Sequence, residues 1–118
     1  MGEARLLTSV RVLDLCSGGR DGVGRILADL GADVLQVEPP GGSAARSLRP
    51  TIAGVGVGFA VDSANKRCAT LDPADASERA RLLDLASSAD VVLDNMGAKY
   101  LGRNIDALAT EGRLVVIG

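Results

Sequence analysis

Val10, Val12, Leu13 and Leu15 form a nearly continuous apolar run, the pattern of a parallel strand covered on both faces. The turn from Ser17 to Gly24 carries four glycines. After it, Val23, Ile26, Leu27 and Leu30 recur at i, i+3, i+4 and i+7, which predicts a helix laying that face on the sheet. Gly31 is placed to close that helix as its C′ residue. Asp33 to Val37 then reads as a second strand, stopped by Glu38-Pro39-Pro40-Gly41-Gly42, where two prolines lack the N–H groups a ladder needs. Residues 10 to 42 therefore predict a βαβ unit.

The segment from Pro39 to Asn65, with the glycine tract IAGVGVGFAV, has no clear period, so it is either a functional loop or the host of a short helix. Arg67 to Leu71 reads as a strand. Asp72 and Pro73 offer an N-cap and an N1 proline for a helix to about Ala86, with Ala76, Ala80 and Leu83 at helical spacing. Asp90 to Leu93 is a buried-type strand, Asn95 to Gly97 a turn, and Leu101, Ile105, Leu108 and Ala109 line a further helix. Leu114 to Ile117 is the last strand. Five strands alternating with helices predict one α/β domain over residues 1–118, a Rossmann-like open, mostly parallel five-stranded sheet with helices on both faces and strand order 3-2-1-4-5. The last strand is apolar enough to be central, so it calls for a covering partner surface or for further chain.

Composition narrows the chemistry. Nearly half the residues are apolar, yet only Phe59 and Tyr100 are aromatic, so the core rests on Ala, Val, Leu and Ile, and stacking platforms for nucleic-acid bases are missing. A net charge of −2 with scattered Lys and Arg offers no stripe that tracks phosphates, so nucleic acid is not an expected partner. No apolar run approaches the roughly 18 residues of a membrane span and the N-terminus carries no leader pattern, so no membrane partner and a cytoplasmic location are expected. With no histidine, and with Cys16 and Cys68 outside CxxC spacing, no zinc site and no histidine-based triad are expected.

Several residues stand where a parallel sheet binds ligands. The turn CSGGRDGVG could bring backbone N–H groups and a helix N-terminus to a phosphate, although Gly19, Gly22 and Gly24 give GxxGxG rather than the dinucleotide fingerprint. Glu38 ends the second strand, where a ribose-binding carboxylate would sit; a solvated strand-end acid is the other reading. Cys16 is either a thiol near a helix N-terminus or a small packing residue. Asp14 and Asp94, near strand ends, could accept loop hydrogen bonds or do acid–base work. Arg46, Arg49, Lys66 and Arg67 could pair with phosphates or be merely solvated.

The pieces VRVLDL, LADLGADVLQVEPPGG and NKRCATLD, followed by ERARLLDLASSADVVLDN, resemble in order and spacing the N-terminal part of family III CoA-transferases of the CaiB/BaiF type. The resemblance implies the CoA-binding domain of an acyl-CoA:carboxylate CoA-transferase, with CoA or acyl-CoA as partner; a homodimer is a separate expectation for the chain. Carried over residue by residue, the contacts to CoA fall on Cys16, Ser17, Gly18 and Gly19, on the segment after Glu38, on Asn65, Lys66 and Arg67, and on Asn95. The turn departs from the family's usual Ala-Gly-Pro run. The family's catalytic Asp matches no residue up to position 118, so no catalytic residue is assigned and an inactive domain is expected. Residues 89–118 are similar instead to the cofactor domain of quinone oxidoreductases of the medium-chain dehydrogenase superfamily, which implies NADP(H) as the alternative cofactor and Asn95, Gly97 and Gly118 at its edge. Two resemblances in one chain raise a chimera with a seam at 88–94, beside the simpler reading of a family III variant with an unusual end.

Overall fold

The computed structural model describes residues 6–16, 22–94 and 112–116. Its main sheet has five strands: β1 (Arg11–Asp14), β2 (Asp33–Glu38), β5 (Arg67–Thr70), β6 (Val91–Asp94) and β7 (Arg113–Val116). Their spatial order is β5-β2-β1-β6-β7 and every pairing is parallel. In sequence order of these five strands that is 3-2-1-4-5, the doubly wound order predicted from the alternation of apolar runs and helices. Crossovers restricted to one hand leave few alternatives for such a pattern.

Helices cover both faces. On one side α1 (Gly22–Asp29) packs Ala28 onto a cluster of Val12, Cys16, Ala32, Val34 and Leu93, with Leu27 partly buried beside it. On the other, α3 (Ala76–Ser88) brings Ala86, with Leu82 and Leu85, onto Leu13, Ala89 and Val92. Neither helix uses the whole face read from the sequence; of the α1 face only Leu27 packs beside the core. Val23, Ile26 and Leu30 are 40%, 60% and 40% exposed, and Leu83 is exposed as well. Small residues explain the difference: Gly24, Ala28 and Ala86 let the helix backbones lie close to the strands, so that beside Leu27, Leu82 and Leu85 the remaining large residues turn outward. Gly31 does close α1, at φ 105°, with its N–H bonded to Ala28 O and the Ala32 N–H bonded back to Leu27 O, the Schellman pattern.

Between Pro39 and Asn65 the chain forms a 3₁₀ turn (Ala44–Ser47), a two-residue hairpin of β3 (Thr51–Ile52) with β4 (Val55–Gly56), and α2 (Val57–Ser63). Of the two readings, the short helix is present, and the glycine tract divides between the hairpin turn and α2. The N-cap of α3 lies three residues beyond the expected Asp72: the Asp75 carboxylate accepts the N–H groups of Ser77 and Glu78. Asp72 instead turns the chain before the helix by accepting the Ala74 N–H. The predicted turn at 95–97 and helix through 101–109 lie outside the described residues.

Candidate functional site

The carboxyl halves of β1, β2 and β6 and the turn after β2 gather the buried polar residues of the described chain: Asp14, Gln36, Glu38, Ser43 and Asp94. In a strand covered on both faces a carboxylate needs a partner, because an unpaired buried charge is strongly unfavourable. Asp14 has one. Its Oδ2 lies 2.8 Å from Lys66 Nζ, both side chains are 0% exposed, and its Oδ1 accepts the Cys16 N–H at 3.0 Å. Gly24, in the first turn of α1, stands directly over this pair. A Cβ there would lie 2.3 Å from Asp14 Oδ2 and 2.9 Å from Lys66 Cε, so only glycine leaves room.

The second assembly is built on Glu38, which is 3% exposed. Arg46 donates to both of its oxygens, Nε to Oε2 at 2.6 Å and Nη2 to Oε1 at 2.7 Å, and the Ser43 N–H donates to Oε2 at 2.7 Å. The Pro-Pro-Gly-Gly turn makes this reach possible by folding residues 41–46 back over the strand end, with Gly41 and Gly42 at φ 84° and 88°. The Arg46 guanidinium also stacks over Phe59 of α2, 4.4 Å from the ring centroid. Arg46, ahead of the Ser43 N–H, holds the Glu38 carboxyl below the usual glutamate range despite its burial. Burial, with the Glu38 charge next, pushes the neighbouring Cys68 thiol up.

These facts sort the residues singled out in the sequence. Cys16 is buried in the cluster under α1, the place of a packing residue. Glu38 is a buried hub whose two oxygens already accept three hydrogen bonds from Arg46 and Ser43. Lys66 lies under α1 against Asp14. Arg67 points to the opposite, amino edge of the sheet, where it forms a two-pronged pair with Asp33 at 2.8 and 2.9 Å. Asn65, at φ 66°, donates to Asp29 at the end of α1, and with Arg25 it holds that carboxyl below its ordinary range. Ser17, Gly18, Gly19 and Asn95 lie outside the described residues. Reading the sequence missed the pairing of Asp14 with Lys66 and the clamp of Ser43, Arg46 and Phe59. The signal for the first was present: an acid between apolar residues of a strand buried on both faces calls for a counter-charge.

Glu38 and its partners stand at the carboxyl end of β2, the edge beyond which doubly wound sheets bind ligands, and the Asp14–Lys66 pair lies buried beneath α1 beside it. A family model, CoA-transferase family III, matches residues 7–109. The chain belongs to CoA-transferase family III. Within this family it is 65% identical over 82 residues to a probable CoA-transferase, Rv1866, of Mycobacterium tuberculosis, covering 69% of this chain and 10% of that protein. It is 36% identical over 95 residues to a probable fatty acyl-CoA transferase, Rv3272, of the same organism, covering 77% and 24%. The chain thus spans a tenth to a quarter of the length of these relatives. The crystal structure of Rv3272 superposes with TM-score 0.79 at 30% identity, over 98% of this chain and 33% of that one. A CaiB/BaiF family protein from Brucella suis superposes with TM-score 0.75 at 30% identity, over 86% and 29%. An NAD-dependent alcohol dehydrogenase reaches TM-score 0.55 at 22% identity, over 94% and 29%, a likeness of fold alone.

Proposed function

We propose that this chain is the CoA-holding domain of a family III acyl-CoA transferase, with the ligand lying across the carboxyl ends of β1, β2, β5 and β6. The observation that carries the reading is the family match from residue 7 to 109 on a sheet whose buried polar groups collect at that edge. Asp14 with Lys66 supports the exit of β1, and Glu38 with Arg46 fixes the segment after β2. Contacts to CoA then come from the turn of Cys16, Ser17, Gly18 and Gly19, from the segment after Glu38 and from Asn95, while Asn65, Lys66 and Arg67, at the amino end of β5, stand behind the site rather than in it. The part of the reaction proposed for these residues is the binding of CoA or acyl-CoA.

Location and assembly belong to the same proposal. Among the described residues no helix is long and apolar enough to cross a membrane, and Cys16 and Cys68 are both free thiols, which fits a reducing cytoplasm. The exposed Val23, Ile26 and Leu30 face of α1 suits burial in a homodimer, which sedimentation at two concentrations would detect.

The NADP(H) reading, with a seam at 88–94, rests on residues 89–118 and on one distant dehydrogenase fold. The family match runs across that seam, which favours a single-family chain. A thermal-shift screen separates the two readings, because a ligand that binds only the folded state raises the melting midpoint by mass action. CoA and acetyl-CoA are expected to raise it while NADPH and NADH leave it unchanged. A shift with NADPH and none with CoA would reverse the assignment.

A further inference from the structure

Lys66 sits in the Asn65-Lys66-Arg67 segment that the family resemblance assigns to contacts with CoA, yet its ammonium is fully buried. The main sheet explains why. Leu35 of β2 pairs with Leu13 of β1 and with Arg67 of β5, so Lys66 enters the sheet one position before the level of Leu13. Neighbouring residues on a strand point to opposite faces, so Arg67 and Lys66 part company. Arg67 reaches back to Asp33 at the amino edge, whereas Lys66 passes beneath α1 and meets Asp14 at 2.8 Å.

Asp14 then uses its other oxygen on the Cys16 N–H. Gly24, the third residue of α1, is packed against both partners of the pair, close enough that a Cβ would overlap Asp14 Oδ2. The two ends of the β1–α1 connection, Cys16 and Gly24, are thereby gauged against one ion pair whose other member is anchored 52 residues away. We infer that Lys66 is a positioning residue: through Asp14 it sets the exit of β1 and the first turn of α1 relative to β5, and it makes no direct contact with the ligand. This rests on the proposed CoA site for its meaning but not for its test. A buried charge pair of this kind gives geometry more than net stability, since apolar replacement of both members is often neutral or better.

Two measurements need no ligand. Lys66 and Lys99 are the two lysines of the chain, so amine labelling followed by peptide mass spectrometry reads Lys66 alone. In the native protein Lys66 is expected to label at least roughly tenfold more slowly than in the urea-unfolded chain, with and without CoA. Labelling at the unfolded rate, or rapid labelling that CoA suppresses, would make Lys66 a ligand contact and overturn the inference. The second measurement is amide hydrogen exchange in Asp14→Leu/Lys66→Met. The melting midpoint is expected to stay within about 4 °C of the parent, while the Cys16 amide exchanges roughly tenfold faster for want of its acceptor. Unchanged exchange at Cys16 would reduce the pair to packing. Should that variant fail to fold, Lys66→Arg supplies the same readout with the charge kept, and Cys16 exchange equal to the parent's would again refute the role. CoA affinity of the folded variant is expected to fall between about 5- and 150-fold, the usual span of coupling between linked sites. If the parent binds no CoA at all, the proposed function fails while the labelling and exchange results still decide the role of Lys66.

Discussion

Replacing Gly24 by alanine sets two opposing effects against each other, and their magnitudes decide the sign. In an exposed helix the change is favourable by about 1 kcal/mol, because alanine loses less backbone entropy. Here the new Cβ would lie 2.3 Å from Asp14 Oδ2, 2.9 Å from Lys66 Cε and 3.0 Å from Lys66 Nζ. Overpacking a tight site costs about 1–3 kcal/mol. The atoms displaced are those of a buried ion pair, and wholly depriving one buried charge of its partner costs about 3–5 kcal/mol. Partial separation adds only part of that, so Gly24→Ala should destabilise by a net amount of about 2–4 kcal/mol. In a domain of this size that lowers the melting midpoint by roughly 8–16 °C. Urea denaturation followed by circular dichroism gives the free energy directly. Gly58 in α2 is the control, since a Cβ there meets nothing within 4 Å. Gly58→Ala should be neutral or stabilise by up to about 1 kcal/mol. A Gly24→Ala variant as stable as the parent would refute the packing account of the Asp14–Lys66 pair.

Three further outcomes follow from the same contacts. Glu38 is held below its ordinary range chiefly by Arg46, so its contribution is complete above the unfolded-state glutamate range and fades as pH falls through the lower folded value. Glu38→Gln should therefore be less stable than the parent at pH 7 and should converge with it as the pH is lowered towards 3, in melts taken along a pH series. Asp75→Ala removes the acceptor of two N-terminal amides of α3 and should lower the melting midpoint by a few degrees, while Asp72→Ala should cost less. Arg67→Ala breaks only an exposed pair with Asp33 and should change stability by less than about 1 kcal/mol, and CoA affinity by nothing measurable if that edge is remote from the ligand.

The sheet was legible because buried parallel strands announce themselves as short apolar runs, and because right-handed crossovers leave few orders for five of them. Gly31 was legible for a similar reason: a helix that must stop before a strand needs a residue at positive φ. The helix faces were not. Periodicity weights large side chains, whereas Gly24, Ala28 and Ala86 make the close contacts and Val23, Ile26 and Leu83 stay outside. The cap of α3 was misplaced because Asp72 and Asp75 both suit an N-terminal turn, and only the backbone shows that Asp75 bonds into the helix. The site was half legible. The residues at the strand ends could be named, but Lys66 lies 52 positions from Asp14 and Arg46 reaches Glu38 only after a double-glycine turn. Pairings of that kind depend on register and on positive-φ turns, which no local pattern encodes.

The central claim is that CoA lies across the carboxyl edge of this sheet. A heteronuclear NMR titration of the 118-residue chain with CoA tests it most directly, since each amide reports its own surroundings. The account predicts saturable shifts at the carboxyl ends of β1, β2, β5 and β6, including Cys16, Ser43 and Leu71, with Arg11, Asp33 and Arg67 at the opposite edge unmoved. Saturable shifts confined to the Arg11, Asp33 and Arg67 edge, or none up to millimolar CoA, would contradict it.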